Sequence, residues 1–235
     1  MSDYTYLGSE LELFARARHW KSYWASRLRR FIRGAVLEVG AGTGANSVIL
    51  ADGKQSRWVC LEPDAKLAAI IEAHETDSCA GQLEVRCGTI GALAASEAFD
   101  TILYIDVLEH IEDDMAELER AGNHLTPGGR LIVLSPAHGW LYSRFDEAIG
   151  HFRRYTARTL TALTPAGLKV ITTFYLDSAG LAASAANRFI LRQALPNARQ
   201  IHCWDTWMVP CSRILDPLSA YCFGKSVICV WERTC

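Results

Sequence analysis

Val36-Leu37-Glu38-Val39-Gly40-Ala41-Gly42-Thr43-Gly44 is the stretch that decides how this chain is read. An apolar run ends in an acidic residue, glycines follow at every second position, and a helical pattern begins. This order predicts a buried strand feeding a Gly-rich turn into a helix N-terminus, an arrangement that cradles nucleotide-like ligands. Glycine lets the turn take positive φ and lets a ligand lie against bare backbone. The helix end adds unpaired N–H groups. Glu38 is an acceptor-only group just before the turn, which suits a ligand with hydroxyl or ammonium donors better than a pyrophosphate. Taken alone the turn is ambiguous, because Gly40, Gly42 and Ala45 also satisfy the G-x-G-x-x-A dinucleotide fingerprint.

The surrounding composition narrows the choice. A chain of 235 residues, 50% hydrophobic and 21% charged, fits one α/β domain with a sizeable core. Its net charge of −2 gives no support for nucleic-acid binding. Arg27, Arg29, Arg30 and Arg33 recur at helical spacing and read as a solvated face. Met1–Glu12 is polar and acidic, unlike a secretory leader. No uncharged apolar run reaches the ~18 residues of a membrane span, so a cytoplasmic protein is expected. The eight cysteines contain no C-x-x-C pair and are expected to be reduced thiols. His202-Cys203 is too isolated to nominate a metal site, and no metal is expected.

Periodicity then sets the architecture. Residues 10–31 carry a helical stripe of Leu13, Ala17, Trp20, Trp24 and Leu28. Strands are expected at Val36–Val39, Trp58–Leu61, Leu83–Arg86, Phe99–Ile105, Arg130–Leu134, Leu168–Phe174 and Ser226–Trp231. Helices are expected at Gly44–Ala51, Ala65–His74, Ile111–Leu125 and Thr156–Leu163, with Pro127-Gly128-Gly129 as a tight turn before the fifth strand. Alternating β and α units imply a mostly parallel sheet covered by helices on both faces.

In such a sheet the ligand sits beyond the carboxyl ends of the strands. Glu38, Glu62 and Asp106 all fall at those ends, and Glu62 lies 22 residues after Gly40, the reach at which a carboxylate meets ribose hydroxyls. Residues 136–155 form a long aromatic loop, expected as a lid. Residues 178–222 form an Ala-rich helical insert, expected to help roof the site. The organisation expected is an N-terminal helical cap at 1–33 and a ligand-binding domain at 34–235.

These residues together resemble a class I S-adenosylmethionine-dependent methyltransferase over about residues 34–235. Leu37 to Gly44 resembles the family's first motif, Leu61-Glu62-Pro63-Asp64 its second, Asp106-Val107-Leu108-Glu109-His110-Ile111 the segment after strand four, and Pro127-Gly128-Gly129 the turn before strand five. Phe145-Asp146-Glu147 and Gly150-His151-Phe152-Arg153-Arg154-Tyr155 resemble a bacterial small-molecule subgroup. The resemblance implies a Rossmann-like, seven-stranded sheet and S-adenosyl-L-methionine as cofactor. It implies Glu38, Gly40, Gly42 and Gly44 around the methionine moiety, with Glu62 on the ribose hydroxyls. Pro63, Thr89 and Ile90 would lie about the adenosine, and Asp106 and Val107 near the sulfonium. The usual adenine-binding acidic residue after strand three is absent, since the chain reads Gly88-Thr89-Ile90 there.

The chemistry expected is methyl transfer to a small-molecule acceptor. Two alternatives stay open: internal cyclisation of S-adenosylmethionine to azetidine-2-carboxylate, and a non-catalytic binding scaffold. An NAD-dependent oxidoreductase is disfavoured because no clear hydride-transfer constellation is visible. A sulfonium carbon is already electrophilic, so alignment and exclusion of water can carry much of the catalysis. His110, Trp140 and Tyr175 are the catalytic candidates, with His138 and His151 as further candidate bases. Arg153 and Arg154 are read either as a grip on an anionic acceptor or as salt bridges within the lid.

Overall fold

Alternation along each strand sorts the apolar residues into two cores. Val36, Leu103, Ile105, Ile132, Leu134, Ile228 and Val230 belong to one, and Leu37, Val39, Ile102, Tyr104, Leu131, Val133 and Cys229 to the other. A sheet whose successive side chains are buried on opposite faces must be covered on both. The computed structural model, which describes residues 17–75, 83–191 and 197–234, shows that sheet. It contains β1 (Ala35–Val39), β2 (Arg57–Glu62), β3 (Leu83–Cys87), β4 (Phe99–Ile105), β5 (Leu125–Pro136), β6 (Leu168–Leu176) and β7 (Ser226–Arg233). Their order is β3-β2-β1-β4-β5-β7-β6. β7 runs antiparallel to both β5 and β6, and the remaining pairs are parallel.

Helix α1 (Arg18–Leu28) buries Trp20, Trp24 and Leu28, the expected stripe, against the first core. Leu13, the stripe's first member, lies outside the described residues. α2 (Ser47–Leu50) is much shorter than the Gly44–Ala51 helix expected. The remaining helices between the parallel strands are α3 (Ala65–Glu75) and α4 (Asp114–Asn123). The fifth strand begins earlier than expected. Leu125 already pairs with Phe99, the register shifts, and Arg130 pairs with Thr101. Pro127-Gly128-Gly129 is therefore an irregularity within β5, with Gly128 at φ +75°, rather than a separate turn.

After β5 come α5 (Arg144–Ala148) and α6 (Ala157–Ala162), the latter capped by Thr156. Between β6 and β7 lie α7 (Ser178–Ala186), a π-helical turn over Asn187–Leu191, and α8 (Ala198–Cys203). A second π-helical turn over Trp204–Met208 leads into α9 (Val209–Leu218). Three buried carboxylates fasten these elements to α1 and to each other. Asp205 accepts from the N–H groups of His19 and Trp20 at 3.2 and 2.8 Å. Asp216 accepts from Tyr23 Oη and from the N–H groups of Asp177 and Ser178. Asp177 accepts from Gly180 N, Ser212 Oγ and Trp204 Nε1. Among the described residues no helix is long and apolar enough to cross a membrane, and the cysteines at 60, 87, 203, 211, 222 and 229 are free thiols.

Candidate active site

The turn after β1 is held by backbone first. Gly40 N and Ala41 N donate to Leu61 O at 2.7 and 3.2 Å, and Gly44 N donates to Ala41 O at 2.9 Å. Gly40, Gly42 and Gly44 all have positive φ, at +67°, +60° and +75°. A Cβ on Gly40 would stand 2.7 Å from Val107 Cγ2, so the turn packs directly on the segment after β4. Gly44 instead backs onto Ile71 of α3.

Glu62 ends β2 with its carboxylate fixed by two backbone amides. Gly42 N donates to Oε2 at 2.7 Å and Asp64 N to Oε1 at 2.9 Å. A carboxylate has about four lone-pair positions, so each oxygen keeps accepting capacity. Burial raises Glu62 above the usual carboxylate range. Beside this group opens a cavity of about 850 Å³. Its wall carries Gly40, Gly42, Glu62, Pro63, Asp106 and Val107 from the strand ends. His110, Phe145, His151 and Arg154 come from the segments after β4 and β5. The roof is Trp20, Lys21 and Trp24 of α1 with Ile201, Trp204 and Met208 of the insert.

Asp106 sits at φ +54°, uncommon for a residue other than glycine. Burial pushes its carboxyl up to about 6, against the opposing charges of His151, Lys21 and Lys225. Glu109 is fully buried, and burial followed by the charge of Asp106 raises it well above the carboxylate range. Ser135 Oγ donates to its Oε2 at 3.0 Å, while Oε1 has no hydrogen-bond partner among the described residues. Glu109, His110 and His151 each present one ligand atom within 4.8 Å of the others, a spacing that could hold a metal ion. Burial, then His151, brings His110 down to about 4, so its ring is neutral at physiological pH.

Several expected site residues stand elsewhere. Glu38 faces away from the cavity. Its Oε2 accepts from Ser47 Oγ at 2.6 Å and Trp58 Nε1 at 3.1 Å, so its donors come from the chain itself. Ile90 packs into the second core and Thr89 is exposed, and neither lines the cavity. Trp140 is 45% exposed and stacks on Phe189. Tyr175 stacks on His138 at 5.3 Å and accepts from Ala157 N through its hydroxyl oxygen, outside the cavity lining. Phe152 is 51% exposed, and Tyr155 is spent on a bond to Asp114. Of the aromatics at 136–155 only Phe145 lines the cavity. The lid arginines form salt bridges: Arg154 pairs with both oxygens of Asp146 at 2.7 and 3.1 Å, and Arg153 with Asp114 at 2.6 Å. With α2 only four residues long, the turn's bare backbone and Glu62 supply the polar surface, rather than a helix dipole.

The sequence reading expected the insert over the site but did not assign the α1 side chains or Lys225 to its wall. Trp20, Lys21 and Trp24 lie in a stripe that reads as ordinary core, and Lys225 is a lone basic residue before a strand. The position of Lys225 beside the end of β5 was the available signal, since strands that end together open onto one cavity.

Residues 37–131 match a protein family described as a methyltransferase domain. The ubiquinone biosynthesis O-methyltransferase of Parvibaculum lavamentivorans is 32% identical over 126 residues, 51% of this chain and 49% of that protein. That of Azorhizobium caulinodans is 33% identical over 99 residues, 42% of this chain and 38% of that one. The chain thus spans about half or less of the curated relatives it matches. Among solved structures, coclaurine N-methyltransferase bound to N-methylheliamine and SAH superposes with a TM-score of 0.63 at 15% identity, covering 92% of this chain and 72% of that one. A chain of the Haloferax volcanii complex between the Trm112 methyltransferase activator and a putative methyltransferase superposes at 0.63 with 19% identity, covering 96% and 98%. Residues 37–131 are thus similar to a methyltransferase domain, and the chain has the fold of class I S-adenosylmethionine-dependent methyltransferases.

Proposed function

We propose that this protein binds S-adenosylmethionine across the ends of β1, β2 and β4 and directs methyl transfer to a small-molecule acceptor under the α1–insert roof. The observation that carries this reading is the Glu62 carboxylate. Two backbone amides orient it at the cavity wall and leave lone pairs for a pair of neighbouring hydroxyls. The cofactor, when bound, supplies a methyl group on a positively charged sulfur. Gly40 and Gly42 let its methionine part approach backbone, Pro63 borders the adenosine, and Asp106 with Val107 borders the sulfonium. Residues 17–33 act as a cap, and residues 136–155, 178–191 and 197–222 close the acceptor side.

His110 is the catalytic candidate that reaches the cavity, and its neutral ring can accept a hydrogen bond from an acceptor hydroxyl. The apolar roof excludes water from the transfer. Internal cyclisation is not favoured. The matched relatives are O-methyltransferases, and most lid aromatics that suggested a closed aromatic pocket turn away from it.

Calorimetry with S-adenosylhomocysteine tests the reading. The wild type is expected to bind, and Glu62→Ala to bind about tenfold or more weakly, the loss of roughly 1.4 kcal/mol of hydroxyl recognition. Unchanged affinity in Glu62→Ala would sink the assignment. Formation of S-adenosylhomocysteine from S-adenosylmethionine, seen only once a metabolite extract is added, supports methyl transfer over both cyclisation and a scaffold.

A further inference from the structure

Lys225 lies just before β7, whose first residue Ser226 pairs with Pro136 at the end of β5 and Leu176 at the end of β6. It is four strand spacings from β2, roughly 19 Å across the sheet, yet it lines the same cavity as Glu62. It therefore stands at the acceptor side, away from the ribose-binding edge.

Two of the other cations of this wall are already bonded, while Arg144 and Lys21 also line it. Arg154 is bonded to Asp146 through two nitrogens, and Arg188 donates to Tyr142 O. Lys21 is placed to feel Asp106 and Glu38 most strongly. Lys225 has no carboxylate oxygen within 4.0 Å among the described residues. Its Nζ rests instead 4.8 Å from the ring centroid of Trp204. The nearest large acidic influence, Asp177, already accepts from Gly180 N, Ser212 Oγ and Trp204 Nε1. A half-buried ammonium lying on a ring face and lacking a counter-charge is costly to maintain, and burial lowers Lys225 below the usual lysine range.

The surroundings define what would supply that charge. Trp204 packs on Trp20 with centroids 5.8 Å apart, and Ile201 and Met208 continue the wall. This surface suits a flat apolar body. At the Trp204 face the one ammonium of Lys225 balances one negative charge, whereas a dianionic phosphate would need a second cation on that face.

We propose that Lys225 and Trp204 form an anion subsite for the acceptor, which is an apolar, ring-bearing monocarboxylate. Its role as an acceptor site rests on the methyl-transfer reading above, but the binding site itself is testable apart from that reading.

The test compares 6-hydroxy-2-naphthoate with its uncharged amide, by calorimetry and Trp fluorescence, with and without S-adenosylhomocysteine. The wild type is expected to prefer the acid by about tenfold or more. Lys225→Gln should abolish the preference, Lys225→Arg should keep it, and both should bind S-adenosylhomocysteine like the wild type, which also shows that they fold. Equal binding of acid and amide, no binding of the acid, or a preference that survives Lys225→Gln each overturns the subsite. Failure of S-adenosylhomocysteine to bind the wild type would instead strike the methyl-transfer reading, while a Lys225-dependent preference for the acid would still stand.

Discussion

Asp205 accepts a hydrogen bond from the backbone N–H of Trp20 at 2.8 Å, across 185 residues of chain, and so caps the first helix from the far end of the sequence. The helix has no capping side chain of its own, because its N-cap residue is Ala17. The insert thus both roofs the cavity and holds the helix that completes the roof. Asp205→Ala removes this cap at a cost of about 1–2 kcal/mol. Calorimetry should show a Tm lower by roughly 2–8 °C, with Asp205→Asn intermediate. An unchanged Tm would mean that the cap contributes nothing.

Gly40 combines positive φ with close contact to Val107. Gly40→Ala must place a side chain in the left-handed region, at about 1–2 kcal/mol, and displace the valine. Urea unfolding should show a loss of about 1–3 kcal/mol, with weaker binding of S-adenosylhomocysteine. Adding Val107→Ala relieves the clash but not the φ cost, so it should restore only part of the stability. Full stability in the single variant contradicts the proposed packing.

Glu38 gives a pH signature. Burial raises its carboxyl to about 7, offset in part by its bonds to Ser47 and Trp58. An acid whose pKa is higher folded than unfolded contributes stability below the unfolded value and loses it as pH rises through the folded one. The Glu38 contribution therefore falls between about pH 4.5 and about 7. Glu38→Gln keeps an acceptor oxygen and has no such dependence. From pH 5 to 8 the variant should gain on the wild type by on the order of 2 kcal/mol. Urea titrations at four pH values measure it, and parallel curves would refute the shift.

Asp146 gathers Arg154, His151 Nδ1 and the N–H and hydroxyl of Ser143 around one buried carboxylate. Asp146→Ala strands the Arg154 charge, at about 3–5 kcal/mol. Arg154→Met added to it should recover much of that loss, because the stranded charge is then gone. Chemical denaturation of the single and double variants decides. A single-variant loss below about 1 kcal/mol would show that the pair is solvated rather than buried.

The parallel half of the sheet was legible because β1, β2, β4 and β5 carry apolar runs, the first three ending in acidic or Gly-rich signals and the fourth preceded by Pro127-Gly128-Gly129. Glu62, Asp106, Gly40 and Gly42 follow from spacing alone. Spacing could not say which face Glu38 takes. Alternation puts it on the side of Ser47 and Trp58, and both donate to its Oε2. Nor could aromatic content say which rings enclose a ligand. Trp140 and Tyr175 stack on Phe189 and His138, outside the cavity, and the enclosing tryptophans come from α1 and the insert.

Local pattern and spacing by themselves determined the strand–turn–helix frame and the carboxylates at its ends, because periodicity and turn chemistry act over a few residues. Only tertiary structure decided the roof and the β7 side of the cavity. Lys225 met Trp204 and Trp20 met Asp205 through the antiparallel return of β7 and the folding back of the insert. Whether a cation is paired, or an aromatic ring faces a cavity, depends on partners that only the folded chain brings together.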